Sequence, residues 1–420
     1  MNISELHRRY FESNAVSTDT RNIKENDIFF ALKGENFDAN TYVDEAIAKG
    51  AKYVVIDDKK FYRDEKQYIL VENVLETLQK LANFHRNFLQ VPILALTGSN
   101  GKTTTKELIY AVLSQKYYLK ATKGNLNNHI GVPLTILSMN RNTEIGIVEM
   151  GTNHFGEIKN LCEIAEPDFG YITNFGKAHL ESFKNIDGVV KAKSELYNYL
   201  IENEKKAFVN LWDERQVELT KELVTIAVKP IEVFNTPEPQ LSFIFNDEVV
   251  KTQLVGDFNV NNIAAAIAIG QFFEVPNEDI IQAIKKYKPE NKRSQYIEKK
   301  HVKIVLDAYN ANPTSMQAAL QTFANDDTEN KIPVLGDMYE LGDTAQEEHQ
   351  NIVELVKDLG FKSSVFIGQQ FATTKHDNLK VYKNFEDFKN QFNVEEYKNK
   401  TLLIKASRGM ALERVVDLFD

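Results

Sequence analysis

Ile93-Leu-Ala-Leu-Thr-Gly-Ser-Asn-Gly-Lys-Thr-Thr104 decides how the chain is read. Ile93 to Thr97 has the composition of a fully buried strand. A turn with two glycines follows, and a helical pattern starts at Lys102. Strand, glycine turn and helix in that order are the context a phosphate-binding loop requires. Gly98 and Gly101 let the backbone wrap an anion without Cβ clashes. Unpaired amides at the helix N-terminus favour a phosphate there. Gly98, Ser99, Asn100, Gly101, Lys102, Thr103 and Thr104 are therefore the expected nucleotide contacts. Lys102 is expected to reach the β- and γ-phosphates, and Thr103 to hold Mg2+. Leu96 stands where the longer GxxxxGK[ST] pattern has its first glycine, so the loop reads GxxGKT.

Outward from the loop, strands and helices alternate, which predicts a parallel α/β sheet. Strands are expected at Ile145–Glu149, Phe169–Thr173 and Ala207–Leu211, with helices at Gly156–Ile164 and Ile186–Ile201. Leu241–Phe245 and Val249–Leu254 read as an antiparallel hairpin. Upstream, strands are expected at Asp27–Leu32 and Tyr53–Ile56, and helices at Tyr42–Lys49 and Val74–Leu89. Val91-Pro92 breaks that pattern. Downstream, the charged stretch 285–292 reads as a linker. Strands at Val302–Asp307, Ile332–Leu335, Ser364–Ile367 and Leu402–Lys405 then alternate with helices at Ser315–Phe323, Thr344–Leu359 and Met410–Phe419. The expectation is three α/β domains: residues 1–90, a central P-loop domain at 91–288, and a smaller doubly wound, Rossmann-like domain at 289–420.

At 420 residues, two or three domains are the prior. A net charge of −10 without a basic block argues against nucleic acid and anionic membranes. The longest apolar run, Ile263 to Ile269, is far below the roughly 20 residues of a membrane span. The single cysteine, Cys162, forbids an internal disulfide. The start lacks an apolar h-region, so no signal peptide is expected and the expected location is the cytoplasm.

The short loop is the form found in the Mur ligases, which add amino acids to peptidoglycan precursors, and the resemblance extends over nearly the whole chain. Gly124-Asn-Leu-Asn-Asn-His-Ile-Gly-Val-Pro-Leu-Thr135 resembles the family's GNxNNxxGxPLT block. Glu149-Met-Gly, His179-Leu-Glu and Lys191-Ala-Lys-Ser-Glu195 resemble its E[ML]G, AHLE and KAKxE blocks. Asp307-Ala-Tyr-Asn-Ala-Asn-Pro-Thr-Ser315 and Leu335-Gly-Asp-Met-Tyr-Glu-Leu-Gly342 resemble DSYNANPxS and LGDMxELG. These last two point to the member that joins D-alanyl-D-alanine to UDP-N-acetylmuramoyl-tripeptide. The DNPR motif of the diaminopimelate- or lysine-adding member is absent.

The resemblance implies ATP and Mg2+ as cofactors, an acyl-phosphate intermediate and a monomer. Glu149, at the end of an apolar strand, suits a Mg2+ near the γ-phosphate on its own chemistry. By resemblance His179 binds a second Mg2+, and Lys193 is a carbamylated lysine supplying an anion beside it, with Lys191 the weaker candidate. Thr103, Glu149, His179 and Lys193 are thus the expected metal set. Asn259, Asn262, Asp307 and Asn310 match nucleotide-binding positions, with Phe258 where the family often has His. Arg293 matches a residue that reaches the γ-phosphate from the last domain. Lys102, Lys193, Arg293 and His179 are the expected catalytic residues. Ser17, Thr18, Thr20 and Arg21 resemble the block holding the UDP moiety, and Asn125, Asn127 and Asn128 are further expected substrate contacts. Gly34 to Asn40 resembles a GExxDGH loop, with Ala39-Asn40 in place of Gly-His. Lys405 to Met410 resembles KGSR near the peptide or D-alanyl end. Two rivals stand beside this reading. A folylpolyglutamate or cyanophycin synthetase type of amide ligase shares the P-loop domain but lacks the UDP-binding front and the YNANP block. A non-catalytic nucleotide-dependent binding protein has no need of Glu149, His179 and Lys193 together.

Overall fold

In a computed structural model, residues 2–234, 236, 240–289, 293–299, 301–325, 330–376 and 379–420 are described. The first strands are β1 (Val16–Ser17), β2 (Ile28–Phe30), the short antiparallel pair β3 (Lys33–Gly34) and β4 (Phe37–Asp38), then β5 (Tyr53–Ile56) and β6 (Tyr68–Leu70). A parallel four-stranded sheet has the order β1-β2-β5-β6.

The helix Val74–Leu89 starts where the Asn73 side chain accepts the Glu76 amide. It ends at Gln90, in the left-handed conformation just before Val91-Pro92. Val74, Leu78, Leu81 and Ala82 form one buried face. They share a hydrophobic cluster with Phe30 of the first sheet and with Ile93, Ala95 and Val148 of the next. Each fully buried leucine there contributes about 1.5–3 kcal/mol. This helix therefore glues the first sheet to the second. Beside it His7 and His85 share a hydrogen bond of 3.0 Å, and Tyr10 donates to the Leu137 carbonyl. Burial, reinforced by the His85 charge, lowers the His7 pKa to about 4, so the pair is neutral near pH 7.

The central sheet contains β7 (Ile93–Thr97), β8 (Leu119–Ala121), β9 (Ile145–Glu149), β10 (Phe169–Ile172), β11 (Lys206–Asn210) and β12 (Val224–Val228). All six are parallel, in the order β12-β11-β10-β7-β9-β8. The connections leave β7 in opposite directions, which opens a crevice at its carboxyl end. The helices Lys102–Leu113 and Val260–Phe272 cover one face. Val260–Phe272 is apolar nearly all round and is correspondingly buried. An antiparallel sheet of β13 (Glu232–Val233), β14 (Gln240–Phe245) and β15 (Glu248–Val255) adjoins it, and β13 was not foreseen.

The last sheet has β16 (Gln295–Lys299), β17 (Val302–Asp307), β18 (Lys331–Gly336), β19 (Val365–Ile367), β20 (Lys380–Tyr382) and β21 (Lys400–Lys405). Its order is β16-β17-β21-β18-β19-β20, parallel except for β16. The Asp307, Gly336 and Lys405 loops all leave from carboxyl ends of neighbouring strands, so three separate sequence blocks converge on one edge.

Three expectations change. The helix foreseen over Ile186–Ile201 is two, Ile186–Lys193 and Glu195–Glu202. Ser194 has ψ −9°, which breaks the continuous spiral, while both halves bury the same side and so keep one periodicity. The helix foreseen over Met410–Phe419 is a 3-10 turn at Arg408–Met410 and a 3-10 segment at Leu412–Phe419, separated by Ala411 with φ +48°. Of the linker foreseen at 285–292, Lys285 and Lys286 belong to the helix Asn277–Lys286, and 290–292 lie outside the described residues. Among the described residues, no helix is long and apolar enough to cross a membrane.

Candidate active site

The loop after β7 needs its glycines. Gly98 has φ +146°, and a Cβ there would lie 1.9 Å from Thr173 Oγ1. Gly101 has φ +78°, and a Cβ would meet Asn262 Oδ1 at 2.6 Å. The segment after β10 straps the loop down. Thr173 Oγ1 donates to the Asn100 carbonyl (2.6 Å), and the Ser99 amide donates to the Asn174 carbonyl (3.1 Å). Ser99 Oγ donates to the Gly176 carbonyl at 2.9 Å. The first amides of helix Lys102–Leu113 have no preceding turn to bond and face the crevice.

Lys102 Nζ donates back to the Gly98 carbonyl at 2.6 Å. Burial lowers its pKa, Glu149 opposes that shift, and the Arg293 charge adds to it. Thr103 Oγ1 donates to Glu149 Oε1 at 3.3 Å, and Asn127 Nδ2 donates to the same oxygen at 2.8 Å. Glu149 is 1% exposed. Its Oε2 has no hydrogen-bond partner, and Lys106 Nζ stands 3.6 Å away.

A cleft of about 820 Å³ opens over this loop. One wall is central: Ser99 to Thr104, Asn125, Asn127, Asn128, Glu149, His179, Asn259 and Asn262. The other wall is the last sheet's edge: Arg293, Asp307, Asn310, Glu340, Lys405 and Arg408. The walls touch directly, because Asn312 Nδ2 donates to Asn100 Oδ1 at 2.7 Å. A second cavity of about 460 Å³ adjoins, sharing Phe258, Ser294 and Asp307 with the first.

Within the cleft, Asn262 accepts from Thr105 Oγ1 and donates to Asn259 Oδ1, so this pair braces the P-loop helix. Asn128 Oδ1 accepts the Ile130 and Gly131 amides and caps the helix Gly131–Leu137. The Arg293 guanidinium carbon lies over the Tyr309 ring, 3.7 Å from its centroid, with Nε buried and unpartnered. Asp307 pairs with Lys405 and accepts the Ser294 amide, so Lys405 is a scaffold for a site carboxylate. Arg408 reaches the same Tyr309 ring and, among the described residues, has no carboxylate partner.

The expected metal set is only partly together. Thr103 and Glu149 touch, whereas His179 Nδ1 is bonded to Glu340 Oε2 at 2.6 Å. Lys193 is not among the residues lining the cleft; it is 1% exposed, with Nζ unpartnered. Burial holds its pKa well below the usual amine range, with Lys102 adding to the shift and Glu157 and Glu195 opposing it. Lys191 is exposed, its ammonium 5.5 Å from the Phe155 ring. Among the described residues no three His, Cys, Asp or Glu side chains gather to hold a metal.

Ser17, Thr18, Thr20 and Arg21 stand apart from this cleft, at the end of β1. Ser17 Oγ donates to the Asp19 carbonyl, and Arg21 pairs with Asp19 at 2.8 Å while its side chain stays 85% exposed. Asn40, in the place of the loop's usual His, is fully buried and donates to Asp38 and Asp57. Sequence reasoning missed Asn174, Glu340, Asn312 and Tyr309 as individual actors. The last three lie inside quoted blocks, but nothing local says which polar residue of a block faces the opposite wall.

Family profiles match three stretches: "Mur ligase family, catalytic domain" at 12–86, "Mur ligase middle domain" at 96–270 and "Mur ligase, glutamate ligase domain" at 292–416. The UDP-N-acetylmuramoyl-tripeptide–D-alanyl-D-alanine ligase of Bacillus subtilis is 35% identical, covering 96% of this chain and 92% of its own. Its counterpart from Rickettsia prowazekii is 30% identical over 97% and 95%. Among solved structures, MurF from Acinetobacter baumannii superimposes with a TM-score of 0.88 at 28% identity, covering 100% of this chain and 98% of that one. The MurF ligase of Thermotoga maritima in complex with ADP gives 0.83 at 27% identity, over 98% and 97%.

Proposed function

The chain belongs to the Mur ligase family, and from that premise we propose that it joins D-alanyl-D-alanine to UDP-N-acetylmuramoyl-tripeptide at the expense of ATP. The observation that carries this reading is the direct contact of the P-loop with the DAYNANPTS block, through Asn100 and Asn312. It brings a nucleotide site and the edge of the last sheet to one cleft, as a three-substrate ligation requires.

The tripeptide carboxylate attacks the γ-phosphorus, ADP leaves, and an acyl phosphate forms. The dipeptide amine then attacks the acyl carbon, phosphate leaves, and the amine proton is lost. The protein's part is mostly positioning and charge neutralisation. Lys102 and the helix amides hold the β- and γ-phosphates. Phe258, at the junction of the two cavities, offers a ring face to the base, and Asp307 accepts the ribose hydroxyls. Thr103 and Glu149 fit Mg2+, since they are oxygen donors and one buried carboxylate oxygen lacks a hydrogen bond. Bound there, the ion supplies positive charge beside the phosphates. Burial disfavours the ammonium form of Lys193, and the free amine has the lone pair needed to add to the carbon of CO2; loss of a proton leaves a carbamate anion. Ser17, Thr18, Thr20 and Arg21 take the UDP end, with Arg21 leaving Asp19 for a phosphate. Both walls come from one chain, so a monomer suffices, and a cytoplasmic location suits the water-soluble nucleotide substrates.

The deciding experiment is a ligation assay with purified protein, ATP, D-alanyl-D-alanine and UDP-tripeptides carrying diaminopimelate or lysine. Phosphate release that needs both the tripeptide and the dipeptide is expected with one of them. Release without either substrate, or with a folate and glutamate instead, would overturn the reading.

Arg293→Ala is expected to lower kcat by roughly 10²-fold while leaving UDP-tripeptide affinity nearly unchanged. Arg293 belongs to the wall opposite the P-loop, and its charge already acts on Lys102. Calorimetry and initial rates on the same variant check this. A large loss of tripeptide affinity with an intact rate contradicts the role.

A further inference from the structure

Two non-glycine residues with left-handed backbones meet across the seam between the walls. His179 has φ +52° and Glu340 has φ +62°. Such conformations persist where the surroundings over-determine them, and they cluster at working sites. Here the surroundings are specific. The Glu340 carbonyl accepts the Glu181 amide at 3.0 Å, and the His179 carbonyl accepts the Ser182 and Phe183 amides. Gly342 lies so close that an added Cβ would be 3.0 Å from Glu181 Cα. The two loops are therefore registered by backbone contacts, and the side chains finish the clasp: His179 Nδ1 meets Glu340 Oε2 at 2.6 Å.

A carboxylate only accepts, so Nδ1 must carry the hydrogen. Nε2 makes no hydrogen bond to the described protein, and His179 lines the cleft. A ring held at Nδ1–H by a carboxylate presents Nε2 in one direction as an electron-pair donor. Glu340 comes from the last sheet's edge and His179 from the central wall, so this orientation exists only when the two walls are docked.

We propose that Glu340 is a positioning residue for the ligase reaction: it fixes the ring of His179 across the seam, so that docking of the last domain completes the central wall. The proposal rests on reading the cleft as the ligase active site. It makes the site's completion depend on closure, which keeps the ring unfixed while the walls are apart.

The test uses the full chain with nitrogen-15-labelled histidine, read by NMR for the protonated nitrogen of His179, together with initial rates. Wild type is expected to show Nδ1–H. Glu340→Ala is expected to lose that signature and to lower turnover by about 10- to 100-fold. Glu340→Gln keeps an acceptor oxygen and is expected to retain the signature and recover part of the rate. Lys177→Ala removes a different seam ion pair, the one to Glu348. It is expected to leave the His179 signature as in wild type. An unchanged Nδ1–H signal in Glu340→Ala overturns the proposal, as does an equal loss of signature in Lys177→Ala, which would make Glu340 a docking contact only. Wild-type protein that shows the signature but ligates nothing would refute the ligase reading and leave the clasp standing.

Discussion

Lys102→Ala folds like the wild type and loses phosphoryl transfer, by roughly 10²–10³-fold or more. Lys102 is only half-buried, and among the described residues its ammonium bonds carbonyls of its own loop alone. Removing it takes away no ion pair and little packing, so the stability change is expected to stay within about 1 kcal/mol. The chemical consequence is of another order. Charge builds on the transferred phosphoryl, and in a cleft that excludes water each preorganised cation counts for more than it does in bulk solvent. Burial, with the Arg293 charge adding to it and Glu149 opposing it, disfavours the ammonium without nucleotide, so an incoming polyanion supplies counter-charge that Lys102 lacks. Thermal melts and ADP release on the same preparation decide. Near-normal turnover with an unchanged melting curve would remove Lys102 from the phosphate site, and with it the assignment of the loop.

The elements that were legible carry their signals locally. Tyr53–Ile56, Val74–Leu89, Ile93–Thr97, Ile145–Glu149 and Val302–Asp307 have the boundaries their patterns imply. Val74–Leu89 has an Asn cap at one end and Val-Pro beyond the other. The helix Gly131–Leu137 is illegible by the same logic, since it opens with Gly131 and holds Pro133. Pro133 is tolerated because it sits in the first turn, where its missing N–H has no intrahelical partner to lose. The site was legible as blocks and not as contacts. Thr103 next to Lys102 is a local fact, whereas Asn100 bonding Asn312 joins residues 212 apart in sequence. Asn259 and Asn262 match nucleotide-binding positions and line the cleft, and their side chains also bond each other, Thr105 and the Val255 carbonyl. Spacing tells which residues share a face; it does not tell which neighbour satisfies them.

Lys193→Ala is expected to lose most activity while ATP still binds at the loop. The structure separates this lysine from its neighbour two positions away. Lys191 is exposed beside Phe155, whereas Lys193 is sealed in with an unpartnered nitrogen. A buried amine without a partner costs roughly 1–3 kcal/mol, so packing alone gives no reason for a lysine there. Conversion to a carbamate gives that position an anion able to meet a cation, which is the chemistry proposed for this wall. The alanine variant leaves a hole of the right size for a small carboxylate. Formate or acetate is therefore expected to restore part of the rate, and chloride at equal ionic strength is not, which separates site occupancy from screening. Carboxylate-specific rescue of Lys191→Ala in place of Lys193→Ala would move the carbamate to the exposed lysine. Full activity in Lys193→Ala would end the idea for this position, since a side chain this deeply enclosed has no solvated role to fall back on.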